Sequence, residues 1–142
     1  MRVLGVDYGT KNIGVAVSDE LGLGARGVTT LRRLSDGDAV ARIVSLAAEL
    51  EVAAVVVGVP LAADHTEGDA ARRVLKFVDR LKNAAMVPVH TIGERLTSVE
   101  AEERLRELGI RGEERKRRVD EVAATIIVEE FLSARGRAGA SW

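Results

Sequence analysis

Val3-Leu4-Gly5-Val6-Asp7-Tyr8-Gly9-Thr10-Lys11-Asn12-Ile13-Gly14-Val15-Ala16-Val17 is the stretch on which the fold turns. Two short runs rich in β-branched residues flank a turn of Gly, Thr and Asn, the pattern of a β-hairpin. Asp7 falls where the first run meets the turn, so the hairpin sets one carboxylate at a strand end. An isolated Asp before Tyr-Gly reads most simply as a solvated turn residue. The rest of the chain argues against that reading.

Outward from the hairpin, Gly27-Val28-Thr29-Thr30-Leu31 reads as a third strand that completes an antiparallel meander. Ser35 opens a Ser-x-x-Asp pattern, and Val40, Ile43, Val44, Ala47 and Leu50 mark one face of a helix over 37–51. Val52 to Val57 is continuously apolar and ends at Gly58-Val59-Pro60, as a central strand covered on both faces does. Ala70, Val74, Phe77, Val78 and Leu81 give a second amphipathic helix, and Val87 to Ile92 a fifth strand. Thr97-Ser98-Val99-Glu100 has the form of a capping box, with Gly109 as the stop of the helix it starts. A last helix is expected from about Arg117, carrying Val119, Val122, Ala123, Ile126, Ile127 and Phe131. The sum is an α/β domain. Its mixed five-stranded sheet joins an antiparallel meander to parallel strands fed by crossover helices, with helices on both faces. Residues 1–134 form the expected domain and 135–142, which lack periodicity, a flexible tail.

Composition narrows the chemistry. The 142 residues suit one domain, and 46% hydrophobic with 30% charged residues is the balance of a folded globular chain. Zero cysteines leave no disulfide and no thiolate metal site, and two histidines make zinc catalysis a poor expectation. A metal would have to be held by carboxylates. No apolar stretch is long enough to span a bilayer, and the chain runs from Met1-Arg2 straight into a strand, so the expected location is the cytoplasm, with no membrane partner. The net charge of −1 supplies no global attraction for nucleic acid. Locally, seven Arg or Lys against three Glu lie between Arg104 and Arg118, with Arg115-Lys116-Arg117-Arg118 contiguous. That run is a candidate phosphate-binding patch or, equally simply, a solvated helix entrance.

Other motifs are weaker. Gly22-Leu23-Gly24-Ala25-Arg26-Gly27 matches the dinucleotide fingerprint in letters, but a strand follows where a helix should, so a flexible loop is expected. His65 and His90 lie far apart and read as loop and strand residues. Three carboxylates carry more. Asp7 ends the first strand, Glu94 follows the fifth, and Asp120 sits in the expected first turn of the last helix, with Ala123 and Ala124 on its face. Near a helix N-terminus the bland role of Asp120 is to favour the dipole, worth about 0.3–1 kcal/mol. If the fourth strand lies beside the first, the carboxyl ends of the parallel strands can bring all three acids together. Carboxylates suit Mg²⁺, and paired ions can activate water and stabilise the leaving oxygen of a phosphodiester, with Arg and Lys on the flanking phosphates.

Asp7-Tyr8-Gly9-Thr10-Lys11, Ile13-Gly14-Val15-Ala16, Val57-Gly58-Val59-Pro60, Thr66-Glu67-Gly68, Glu94-Arg95-Leu96-Thr97-Ser98-Val99-Glu100-Ala101 and Arg115-Lys116 to Val119-Asp120 and Ala123-Ala124 occur in that order. With these motifs the chain resembles the YqgF family over nearly its whole length. The resemblance implies a minimal RNase H-like fold and a nuclease, described both as maturing the 5′ end of pre-16S rRNA in ribosome biogenesis and as a Holliday junction resolvase. It implies Asp7, Glu94 and Asp120 as catalytic metal ligands for Mg²⁺ or Mn²⁺. Lys11, Arg95 and Thr97 would support them, with Thr66-Glu67-Gly68 close by. Pre-rRNA, branched DNA and the ribosome are the implied partners. One departure stands out: Gly93 occupies a position where the family usually has an acid. Two other classes stay open, a non-catalytic RNA- or ribosome-binding module and a phosphate loop of the actin and sugar-kinase type, which needs a second domain.

Overall fold

The structure is a computed structural model and describes residues 1–61, 68–94 and 97–138, with residues 97, 98, 137 and 138 described by backbone alone. Alternation and apolar periodicity produce the elements β1 (Val3–Tyr8), β2 (Asn12–Ser18), β3 (Ala25–Arg32), α1 (Asp36–Glu49), β4 (Ala54–Pro60), α2 (Asp69–Ala84), β5 (Val89–Glu94), α3 (Thr97–Glu107) and α4 (Gly112–Ala138). Their order in one sheet is β3-β2-β1-β4-β5. β1 pairs with β2 antiparallel, Asp7 opposite Gly14, and with β4 parallel, Val6 opposite Val57. β5 extends the parallel half, with Gly58 opposite Ile92 and Pro60 opposite Glu94. The fourth strand therefore does lie beside the first, and the carboxyl ends of β1, β4 and β5 point the same way.

Side-chain alternation divides the core. Leu4, Val6, Ile13, Val15, Val55, Val57 and Val59 face α1 and α2, where they bury with Ile43, Val74, Phe77 and Leu81. Val3 and Val56 face the other way, against Ile127 and Phe131 of α4. α3 packs on α4 through Ala101, Ala123 and Ile126, and Arg104 Nη1 donates to Glu129 Oε1 at 2.7 Å. Helices thus cover both faces, as the apolar run of β4 requires.

Several boundaries depart from the sequence reading. α4 starts at Gly112, not near Arg117, and continues to Ala138, so residues 135–138 of the expected tail are helical. At 27 residues it is about 40 Å long. Its first two turns carry charges and no apolar stripe, which is why periodicity alone starts it too late. The Gly22–Gly27 segment is not a loose loop. Asp19 accepts the amides of Leu23 and Gly24 at 3.0 Å each, and Gly27 lies within β3. The side chains of Thr97 and Ser98 lie outside the described residues, and with them the expected cap.

Candidate active site

Asp7 is the next-to-last residue of β1, and strand alternation points its carboxylate to the α4 face. Opposite it is Gly14, where a Cβ would overlap the carbonyl of Asp120. The absence of a side chain at Gly14 is what lets α4 descend onto the hairpin and bring Asp120 beside Asp7. The Asp7 carboxyl is raised from its ordinary 3.8 to about 7, first by burial and then by repulsion from Asp120. Asp120 is raised as well, by burial. Because α4 begins eight residues before Asp120, that residue is in the helix's third turn, not its first. The helix dipole falls off within one turn, so it does not account for this acid.

Glu94 is the last residue of β5, not a loop residue, and is 5% exposed. A Cβ at Gly58 would lie 3.0 Å from Glu94 Cγ and closer still to Ile127 Cδ1. Glu94 therefore leans over Gly58 on the α4 face, the face of Asp7 and Asp120. β1 and β5 are separated by β4, which places their backbones about 10 Å apart. Among the described residues no three His, Asp or Glu side chains form a group tight enough to hold a metal ion. Asp7 and Asp120 are a pair, and Glu94 shares their face one strand further on.

Gly93 answers to a different side of the sheet. A Cβ there would lie 2.9 Å from Leu61 Cδ1, on the opposite face from Glu94. An acid at position 93 would point away from Asp7 and Asp120.

The supporting residues are placed unevenly. Lys11 is exposed in the β1–β2 turn. Arg115, Lys116, Arg117 and Arg118 lie in α4, so successive side chains fan around the helix at about 100° steps instead of forming one patch. Lys116 and Arg117, four and three residues before Asp120, share its side of the helix. Arg118 Nη1 is 3.8 Å from Glu114 Oε1 instead. Arg95, Thr66, Glu67 and His65 lie outside the described residues, as does the side chain of Thr97. His90, four residues before Glu94 on β5, packs on Phe131 with Arg135 Nη2 3.2 Å from its Nδ1.

Sequence reasoning passed over one cluster. Tyr8 turns to the α1 and α2 face, its ring 4.6 Å from that of Phe77. Its hydroxyl donates to Asp36 Oδ1 at 2.7 Å, and Arg33 Nε donates to Tyr8 Oη at 3.0 Å and to Asp36 Oδ1 at 2.9 Å. The Arg33-x-x-Asp36 spacing was the visible signal, an i,i+3 pair across a helix start.

A mixed sheet in this order, with acids at the carboxyl ends of its parallel strands and a long helix laid over them, defines the RNase H-like class. The fold is similar to that of T. thermophilus RuvC in complex with Holliday junction substrate, with a TM-score of 0.64 at 23% identity over 96% of each chain. It is also similar to the Fowlpox virus Holliday junction resolvase in its complex with junction DNA, with a TM-score of 0.56 at 10% identity, over 94% of this chain and 98% of that one. The family model of RuvX, described as Holliday junction resolvase, matches residues 1–134, and the chain belongs to that family, the YqgF family of the sequence motifs. A relative from Anaeromyxobacter dehalogenans named "Putative pre-16S rRNA nuclease" is 45% identical over 95% of this chain and 98% of its own length. One of the same name from Roseiflexus sp. is 40% identical over 94% of each.

Proposed function

We propose that this protein is a metal-dependent endonuclease that hydrolyses phosphodiester bonds of structured nucleic acid, its substrate the 5′ region of pre-16S rRNA. The observation that carries the reading is the half-buried, mutually repelling pair Asp7–Asp120 at the carboxyl end of the parallel strands. Two half-buried carboxylates side by side without a cation cost stability, and proteins keep such pairs mainly where they act.

The donor set suits a hard divalent ion. Carboxylate oxygens are what Mg²⁺ or Mn²⁺ takes, and the bare Cα positions of Gly14 and Gly58 let Asp120 and Glu94 close in on the acidic face. Asp7 and Asp120 would hold the ion. Glu94 would join them by a modest side-chain movement or through water, since Mg²⁺ commonly keeps several waters and binds through one or two carboxylates. Bound there, the ion would supply a water of lowered pKa and offset charge on the leaving oxygen. The protein's own part is positional. Asp120 rides on a helix anchored over Gly14, Glu94 is fixed by strand pairing, and Lys116 and Arg117 stand where a flanking phosphate would pass. The outward aim of position 93 supports Glu94, and not its predecessor, as the third acid.

RNA is favoured over DNA because the near-full-length relatives at 40–45% identity carry the rRNA name, whereas the junction-bound structures speak for the fold alone. The cytoplasm and the assembling ribosome are the corresponding setting. Resolution of Holliday junctions is the second reading, favoured by the family's description. An assay offering a pre-16S rRNA fragment and a four-way DNA junction, with Mg²⁺ or Mn²⁺, separates the two. We expect cleavage of the RNA, its loss in Asp7→Asn, Glu94→Gln and Asp120→Asn, and its retention in Gly93→Asp. Cleavage of the junction alone would support the second reading, and binding without cleavage of either substrate would make the chain a non-catalytic module.

A further inference from the structure

We propose that Tyr8, held by Arg33 and Asp36, is a positioning residue that keeps the Asp7 carboxylate against Asp120. The inference rests on the metal-dependent reading of that pair. Asp7 and Tyr8 are consecutive, so strand alternation sends one side chain to each face of the sheet and a force on one is felt by the other through a single peptide unit. On the α4 face, repulsion between two half-buried carboxylates pushes the end of β1 away from Asp120. The ladder to β4 stops one residue short of Asp7, at Val6 opposite Val57, and the ladder to β2 ends one residue past it, at Tyr8 opposite Ile13, so little pairing resists this push.

What resists is on the other face. The Tyr8 ring is stacked against Phe77 of α2, and the Arg33 guanidinium carbon lies 5.9 Å from the ring centre. Its hydroxyl is bonded to Asp36 in the first turn of α1 and to Arg33 just past β3. Arg33 also donates its backbone amide to the Lys11 carbonyl at 2.8 Å, which fixes the turn that follows Asp7. The end of β1, the β1–β2 turn, the end of β3, α1 and α2 are all tied at one point beneath the acidic pair. A pin needed only to dock α1 would not require the residue next to Asp7.

Tyr8→Phe removes the hydroxyl and leaves the ring on Phe77. Titration calorimetry with Mn²⁺ alone, beside thermal unfolding in EDTA, tests the role. We expect Mn²⁺ to bind Tyr8→Phe about tenfold more weakly than the native protein, the scale on which orienting partners of ligands act, while the metal-free melting temperature moves by only a few degrees. In the cleavage assay the loss should fall on kcat, with KM for nucleic acid unchanged. Asp36→Asn, which weakens the same clamp from the α1 side, should reproduce the weaker Mn²⁺ binding and serves if Tyr8→Phe does not fold. Native-like Mn²⁺ affinity in whichever variant folds would overturn the proposal and leave the cluster a structural staple. A native protein that binds no Mn²⁺ would instead overturn the metal reading, and the positioning role with it.

Discussion

At the scale of single residues, the acid pair makes a prediction about pH whose sign follows from burial. Asp7 titrates near 7 in the folded chain and near 3.8 when unfolded, so between those values the folded state binds the extra proton. Stability must then fall as pH rises from about 4 to about 7 and level off above. Were the whole shift carried by Asp7, the loss would be about 4 kcal/mol, and relaxation will reduce it. Asp7→Asn abolishes this slope. In EDTA it should match the native protein near pH 4.5 and exceed it by about 1–3 kcal/mol at pH 8. Urea unfolding of both proteins at the two pH values is the check, and parallel pH profiles would mean that Asp7 is an ordinary solvated acid. That Asp7 ends up near the end of a strand was legible from its place between two β-runs. The sequence reading of Asp120 was wrong about its surroundings. Only the structure moves it from a first helical turn, where a dipole could explain it, to a third turn, where burial beside Asp7 does. Gly93 and Glu94 were ambiguous in sequence because neighbouring strand residues differ only in the face they take, and the register that decides the face is a tertiary fact.

At the scale of elements, the two helix ends with a residue in the left-handed region make a natural comparison. α3 closes with Gly109 at φ 78°, its amide bonded to the Arg106 carbonyl and that of Ile110 to the Leu105 carbonyl. α1 closes in the same double-bonded pattern, Glu51 to Ala48 and Val52 to Ala47, but with Glu51 at φ 53°. Both are Schellman ends, and only one has the residue that adopts this conformation without steric cost. Glu51→Gly should therefore stabilise the fold by about 0.5–1 kcal/mol, the relief of the left-handed penalty less the added freedom of the unfolded chain. For a chain of this size the melting temperature should rise by about 2–4 °C. A fall would show that the Glu51 side chain contributes contacts worth more than the strain. Gly109 was readable as a stop because glycine advertises the conformation, whereas nothing about Glu51 does. The start of α4 was misread for a related reason. Helix limits inferred from an apolar stripe end where burial ends, and Gly112 to Arg118 form helix without burying such a stripe.

At the scale of the whole molecule, a net charge of −1 means that affinity for nucleic acid must come from a local field. The helical placement of the basic run says which cations contribute. Lys116 and Arg117 lie on the Asp120 side of α4, and Arg118 is paired with Glu114 in an exposed i,i+4 contact that offsets part of its charge. Each phosphate neutralised adds about 0.7 to the slope of log affinity against log salt for single strands and about 0.9 for duplex DNA. If both side chains engage a phosphate, the double substitution Lys116→Ala with Arg117→Ala should lower the slope magnitude by about 1.4–1.8. Arg118→Ala should lower it by less than a single full contact. Binding of a labelled pre-16S rRNA fragment, measured in EDTA between 50 mM and 200 mM salt, about the range over which counterion release is pronounced, keeps cleavage out of the measurement. Equal effects from Arg118 and Arg117 would mean that the run acts as a diffuse cloud of charge around the helix. An effect confined to Lys116 and Arg117 would trace the nucleic acid along the one side of α4 that leads to Asp120, and so tie the track of the substrate to the acids proposed to cut it.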